Sequence, residues 1–189
     1  MITDARIQKE FQTITKQNEF QVWLINNDYR HWKAIVKGPD DSVYQGGKFQ
    51  IDIKIPDKYP YIPPKMFFDT KLWHPNVSSV TGAICLDILK DEWSPALSIR
   101  TALLSIQALM WTPEPDNPQD AVVAKQYKEN REEFDKTARK WTAEHADPDK
   151  LKKQKIIKIT DMGFTEIQAI EALEKVGWDE NEAIQYLVN

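Results

Sequence analysis

The sequence predicts an α+β fold with a small helical appendix. Three observations support this: strictly alternating apolar residues over 49–55, helically spaced apolar residues on both sides of that segment, and a change to charged residues near 146–150. The length of 189 residues suits one domain of ordinary size followed by a module of about 40 residues.

Taken in order, residues 4–17 read as a helix, because Ile7, Phe11 and Ile14 share one face while Lys9, Gln12 and Lys16 fall on the other. Two strands are predicted next, 20–25 and 31–38, divided by the polar break Asn26-Asn27-Asp28 and followed by a turn-rich stretch from Pro39 to Gly47. In 49–55, Phe49, Ile51, Ile53 and Ile55 alternate with Gln50, Asp52 and Lys54, which predicts a strand with one buried and one wet face. The connections are too short for crossovers, so the sheet is expected to be antiparallel, with Lys65–Phe68 as its fourth strand. Pro56, Pro60, Pro63 and Pro64 make the intervening segment a stiff extended loop.

From 69 to 97 no period is sustained, and long irregular segments inside a domain commonly carry function. Ser98 then caps a helix with the stripe Ile99, Leu103, Ile106 and Met110, which Pro113, Pro115 and Pro118 terminate. Two helices follow, 119–129 and 131–145, the second with Phe134, Ala138 and Trp141 on one face. A linker at about 146–150 divides a domain of residues 1–147 from one of residues 148–189. The latter holds three short helices, 151–161, 165–176 and 179–188, punctuated by Met162-Gly163-Phe164 and Gly177-Trp178-Asp179.

Composition narrows the function classes. One cysteine excludes an intramolecular disulfide, a CxxC redox pair and a cysteine-rich zinc site, and it suits a reducing compartment. No apolar run approaches the ~20 residues of a membrane span, and the first residues lack a signal core. A net charge of −4 gives no global footprint for nucleic acid. A soluble intracellular protein without bound metal or cofactor is expected.

The irregular stretch contains His74-Pro75-Asn76, then Cys85 nine residues after Asn76, then Trp93 eight further on, all preceded by Tyr59-Pro60 and Pro63-Pro64. This pattern closely resembles the active-site region of ubiquitin-conjugating enzymes, and the order of elements over 4 to about 146 matches the ubiquitin-conjugating (UBC) fold. The tail, with Met162-Gly163-Phe164 and Leu187-Val188, is similar to ubiquitin-associated (UBA) domains. Together they resemble the subgroup that carries a C-terminal UBA domain.

The resemblance implies a transferase. Cys85 would accept ubiquitin from an activating enzyme as a thioester and pass it to a lysine amine of a substrate or of another ubiquitin, with the tail favouring the polyubiquitin chains used in protein degradation. ATP would be used by the activating enzyme and not bound here. For a lone cysteine the ordinary alternative is a buried hydrophobe. The resemblance gives Asn76 as an oxyanion donor or loop brace, with His74, Pro75, Asp87 and Trp93 supporting the loop. Asn117 stands in Asp116-Asn117-Pro118 where many relatives have Asp-Asp-Pro. It is the implied gate for the incoming lysine, but it can accept a hydrogen bond without acting as a base, which leaves Asp116, Asp87 and Asp120 as substitutes.

Arg6 and Lys9 are the implied contacts for the activating enzyme. Tyr61 with Ser94, Pro95 and Ala96 would dock RING-type ligases, and Met162, Gly163, Phe164 and Leu187 would bind ubiquitin. A solvated helix face and a bundle core are the ordinary readings of the first and last sets. Neither a membrane nor a nucleic acid is an expected partner, and the cytoplasm, with the nucleus open to it, is the expected location. Two other readings stand beside this one. A catalytically silent ubiquitin-binding variant is disfavoured by Cys85 with Asn76, and an enzyme for another ubiquitin-like modifier is disfavoured by the tail.

Overall fold

Four antiparallel strands, β1 (Gln21–Ile25), β2 (Asp28–Lys37), β3 (Lys48–Lys54) and β4 (Lys65–Phe68), lie in the order β1-β2-β3-β4 in the computed structural model, which describes residues 2–188. The strand expected from His31 begins at Asp28, because Asn26 and Asn27 alone close the hairpin. Both adopt positive φ (52° and 56°), the backbone a two-residue turn requires, and Ile25 pairs with Asp28. Tyr29 and Arg30 therefore join the strand.

The register places Trp32, Ala34, Val36, Phe49, Ile51, Ile53, Met66 and Phe68 in one buried core. Helix α1 (Ile2–Gln17) contributes Ile7 and Ile14, and Phe11 stands edge-on to Trp32 at 5.1 Å. Helix α2 (Ile99–Trp111) buries Ile99, Leu103, Ile106 and Met110, and its cap Ser98 accepts from the Thr101 N–H.

The opposite face of β3 departs from the expected wet surface. Asp52 is only 8% exposed, since Lys33 lies beside it in register and reaches both Asp52 (2.7 Å) and Asp69 (2.6 Å), while His31 Nε2 lies 2.6 Å from Asp52. Burial raises the Asp52 pKa, but hydrogen bonds from Lys33 and His31 outweigh it and leave the group below its ordinary value. The proline segment is also more folded than the expected extended loop. Tyr59 N–H bonds the Pro56 carbonyl and Tyr61 N–H bonds the Lys58 carbonyl, so the chain turns, and Tyr59 is completely buried.

Helices α3 (Ala121–Glu129) and α4 (Arg131–His145) complete the first compact unit, Met1–Ala146. Phe134 and Ala138 enter the core, whereas Trp141 is half-buried and packs on Trp73 at 5.0 Å. The second unit, Asp147–Asn189, contains α5 (Pro148–Thr160), α6 (Glu166–Lys175) and α7 (Glu180–Val188). Three residues expected in the linker, Pro148 to Lys150, are already helical, because Asp147 caps α5 by accepting from the Asp149 and Lys150 N–H groups and proline suits the first helical turn. Ile159, Ala169, Ala172, Leu173 and Ala183 form this unit's core.

Candidate active site

The irregular segment 69–97 is ordered by hydrogen bonds to elements distant in sequence. His74 is fully buried. The Asn76 N–H donates to its Nδ1 (3.0 Å), which leaves the proton on Nε2 to donate to the Leu109 carbonyl of α2 (2.9 Å). Burial pulls the imidazole down to about 4, against the Leu109 carbonyl, which favours the protonated form. A ring held neutral with both nitrogens engaged orders the loop and is not available as a base.

A pH dependence follows. The unfolded chain takes up the His74 proton near 6.5, whereas the folded chain does so near 4. This contribution to stability is complete above pH 6.5 and disappears as pH falls to 4, an expected loss of about 3 kcal/mol. Urea melts across that range would show it, and a His74→Gln chain that loses as much stability over the same range would count against the assignment.

Asn76 is buried completely, and its amide is fully used. Oδ1 accepts from the Glu114 N–H (2.8 Å), while Nδ2 donates to the carbonyls of Glu114 (2.8 Å) and Asn117 (3.0 Å). Its own carbonyl accepts from the Cys85 N–H at 2.8 Å. Pro75 adds to this by accepting from the Gln119 and Asp120 N–H groups. Asn76 thus fastens the cysteine segment to the 114–120 loop. Both amide hydrogens are taken by carbonyls of that loop.

Cys85 is half-buried and is a free thiol. Lys90 Nζ lies 3.4 Å from its Sγ, brought there by the short 3-10 turn Asp87–Leu89. Gly82, at φ +72°, allows the chain to pair closely with the end of β4, where the Phe68 N–H donates to the Gly82 carbonyl (2.9 Å), because a Cβ there would stand 1.9 Å from the Phe68 carbonyl oxygen.

The acidic candidates separate by their partners. Asp120 caps α3 and accepts from the Ser79 N–H (3.1 Å) and Oγ (2.7 Å). Burial acts to raise its pKa, but these bonds hold it below the ordinary value. Asp116 pairs with Lys128 at 2.5 Å. Asp87 is exposed at the head of the 3-10 turn, and Asn117 is exposed with its backbone carbonyl bonded to Asn76.

Tyr61 is 80% exposed, and Ser94, Pro95 and Ala96 are exposed as well. Trp93, behind them, donates from Nε1 to the Pro60 carbonyl (2.7 Å) and packs on the Tyr59 ring at 5.9 Å. On α1 the two basic residues differ, Lys9 being exposed while Arg6 has partners within the fold. Arg6 is half-buried and directed inward, to Glu10 (2.9 Å) and the Leu97 carbonyl (2.7 Å).

In the second unit Met162 and Gly163 are exposed, Gly163 at φ +100°, whereas Phe164 and Leu187 are partly committed to the bundle core. Ile167, 70% exposed at the start of α6, is an apolar surface residue that the sequence reading missed. Lys90 was missed too, although its place five residues after the thiol was visible. Among the described residues no group of three or more His, Cys, Asp or Glu side chains can hold a metal ion, and no helix is long and apolar enough to cross a membrane.

Comparison with known proteins adds the following. Residues 6–142 match the family model described as ubiquitin-conjugating enzyme, and residues 153–187 match that of the UBA/TS-N domain. Ubiquitin-conjugating enzyme E2 27 of Arabidopsis thaliana is 49% identical over 190 residues, covering 99% of this chain and 98% of that protein. Human ubiquitin-conjugating enzyme E2 K is 46% identical over 198 residues, covering 100% and 98%. The solved E2 domain of a Toxoplasma gondii ubiquitin conjugating enzyme superposes with a TM-score of 0.73 at 54% identity, over 75% of this chain and 97% of that one.

Proposed function

The chain belongs to the ubiquitin-conjugating enzyme family, with a UBA domain at its C-terminal end, and from that premise we propose that Cys85 carries the ubiquitin thioester. The single observation that supports this is the chain's only cysteine, half-buried, tied through its N–H to Asn76 and beside the Lys90 ammonium. In loading, the Cys85 thiolate attacks the ubiquitin carbonyl of the activating enzyme's thioester, and that enzyme's cysteine departs as thiolate. In discharge, a lysine amine attacks the new thioester, an isopeptide bond forms and Cys85 leaves as thiolate. Asn117 accepts a hydrogen bond from the entering amine, and the proton that the nitrogen loses passes to solvent water.

Exposed Lys9 contributes to docking the activating enzyme, and Tyr61 with Ser94, Pro95 and Ala96 forms the face for RING-type ligases. Incubation with activating enzyme, ATP and a panel of modifiers tests the core of the reading. A thiol-sensitive adduct with ubiquitin is expected. An adduct with only another modifier replaces the cargo, and no adduct at all leaves the silent variant.

Met162, with Gly163 and the edges of Phe164 and Leu187, is the proposed contact through which the UBA domain holds a second ubiquitin. A tethered site raises the local acceptor concentration towards the millimolar range and so favours chain building. Met162→Asp, a change on an exposed side chain, is expected to weaken ubiquitin binding roughly tenfold and slow chain extension while leaving Cys85 loading intact. Unchanged affinity in a calorimetric titration with ubiquitin would remove Met162 from the contact.

A further inference from the structure

The ligase-docking residues stand on two separate loops, and a half-buried carboxylate from α1 joins the segments beneath them. Glu10 accepts from the Tyr59 hydroxyl at both oxygens (2.8 and 2.9 Å), from Arg6 Nε (2.9 Å) and from the Ile99 N–H at the head of α2 (2.9 Å). Its side chain is 13% exposed. Tyr59 lies two residues before Tyr61. Burial first, and the Glu10 carboxylate second, push the phenol well above its ordinary range, so it remains a donor.

Arg6 extends the same cluster to the second loop. Its Nη2 donates to the Leu97 carbonyl at 2.7 Å, immediately after Ala96, and its guanidinium lies 5.4 Å over the Tyr59 ring. The Trp93 bond to Pro60 closes the cluster from the other end of that loop. Hydrogen bonds to a carboxylate shielded from water are among the stronger ties available to two exposed loops.

We propose that Glu10 is a positioning residue for ligase-dependent transfer, holding the Tyr61 loop and the Ser94–Ala96 loop in one fixed spacing from beneath. This rests on the reading of those residues as the ligase face. Two loops already fixed relative to each other lose little freedom when a partner binds across them, so the tie contributes to ligase affinity and not to the chemistry at Cys85.

In Glu10→Gln the side chain keeps its size, but an NH2 replaces one oxygen and faces donors. The test titrates a RING domain that accelerates discharge of the wild-type chain against the ubiquitin-loaded enzyme. It reads the half-saturating RING concentration and the saturated rate separately, with loading and unstimulated discharge to free lysine measured beside them. Glu10→Gln is expected to raise the half-saturating concentration roughly tenfold and leave the other three rates within twofold. Tyr59→Phe, which deletes one tie and keeps the ring, is expected to raise it roughly threefold and carries the test if Glu10→Gln fails to fold.

Tyr61→Ala separates the two ideas. If it raises the half-saturating concentration while Glu10→Gln and Tyr59→Phe do not, the positioning role is overturned and the docking face stands. If Tyr61→Ala has no effect, the docking face fails and the proposal with it. Equal losses in loading, unstimulated and stimulated discharge would make Glu10 a residue of the fold alone, which also overturns the proposal.

Discussion

Replacing Cys85 with alanine is expected to abolish the thiol-sensitive ubiquitin adduct, a loss of at least ~10³-fold that no other residue can repair. The chain has no second cysteine to substitute. The truncated side chain is small and half-buried, so stability should change by only about 1 kcal/mol. A melt within a few degrees of the wild type with no adduct is therefore the expected pair of results. Cys85→Ser sharpens it, because an alkoxide forms far less readily than a thiolate and an oxygen ester is a poorer acyl donor. Its adduct should form slowly, survive reductant and discharge poorly. A reductant-sensitive adduct on Cys85→Ala would overturn the assignment.

The second large effect is expected at Asn76. Asn76→Ala deletes the bonds to the Glu114 N–H and to the carbonyls of Glu114 and Asn117, and empties the space of a completely buried amide. At about 1 kcal/mol for each of the three bonds lost, a total loss of roughly 3 kcal/mol is expected in a denaturant melt. Discharge to lysine should fall by about 10²-fold in single-turnover measurements, because the 114–120 loop is no longer fixed against the cysteine segment and small misplacements are costly. A chain that loses discharge while melting as the wild type would point to an oxyanion donor and away from the brace.

Periodic residues made most of the fold legible. Ile7 and Ile14, the alternation over 49–55 and the Ser98 cap with its stripe all appear where local physics places them. The departures have long-range causes. Asp52 is buried because its register partner is Lys33, and the Pro56–Pro64 segment turns because buried Tyr59 has a partner in Glu10. In the site, the spacing around Cys85 was readable, whereas the roles of its neighbours were not. Asn76 meets Glu114 across 38 positions, and Glu10 meets Ile99 across 89. Such bonds leave no periodic trace. Lys90 was closer in sequence, but only the 3-10 turn brings its ammonium to the sulfur.

The end of the first unit carries a consequence for synthesis. Ala146 is completely buried, and its carbonyl accepts from the Lys48 N–H at 2.8 Å, just where β3 begins. One helical turn earlier, Thr142 Oγ1 donates to the Val43 carbonyl at 3.3 Å. These contacts join residues about a hundred positions apart, and such non-local closures come late. During translation the sheet and the cysteine segment leave the ribosome well before α4, but the unit is not closed until residue 146 has emerged.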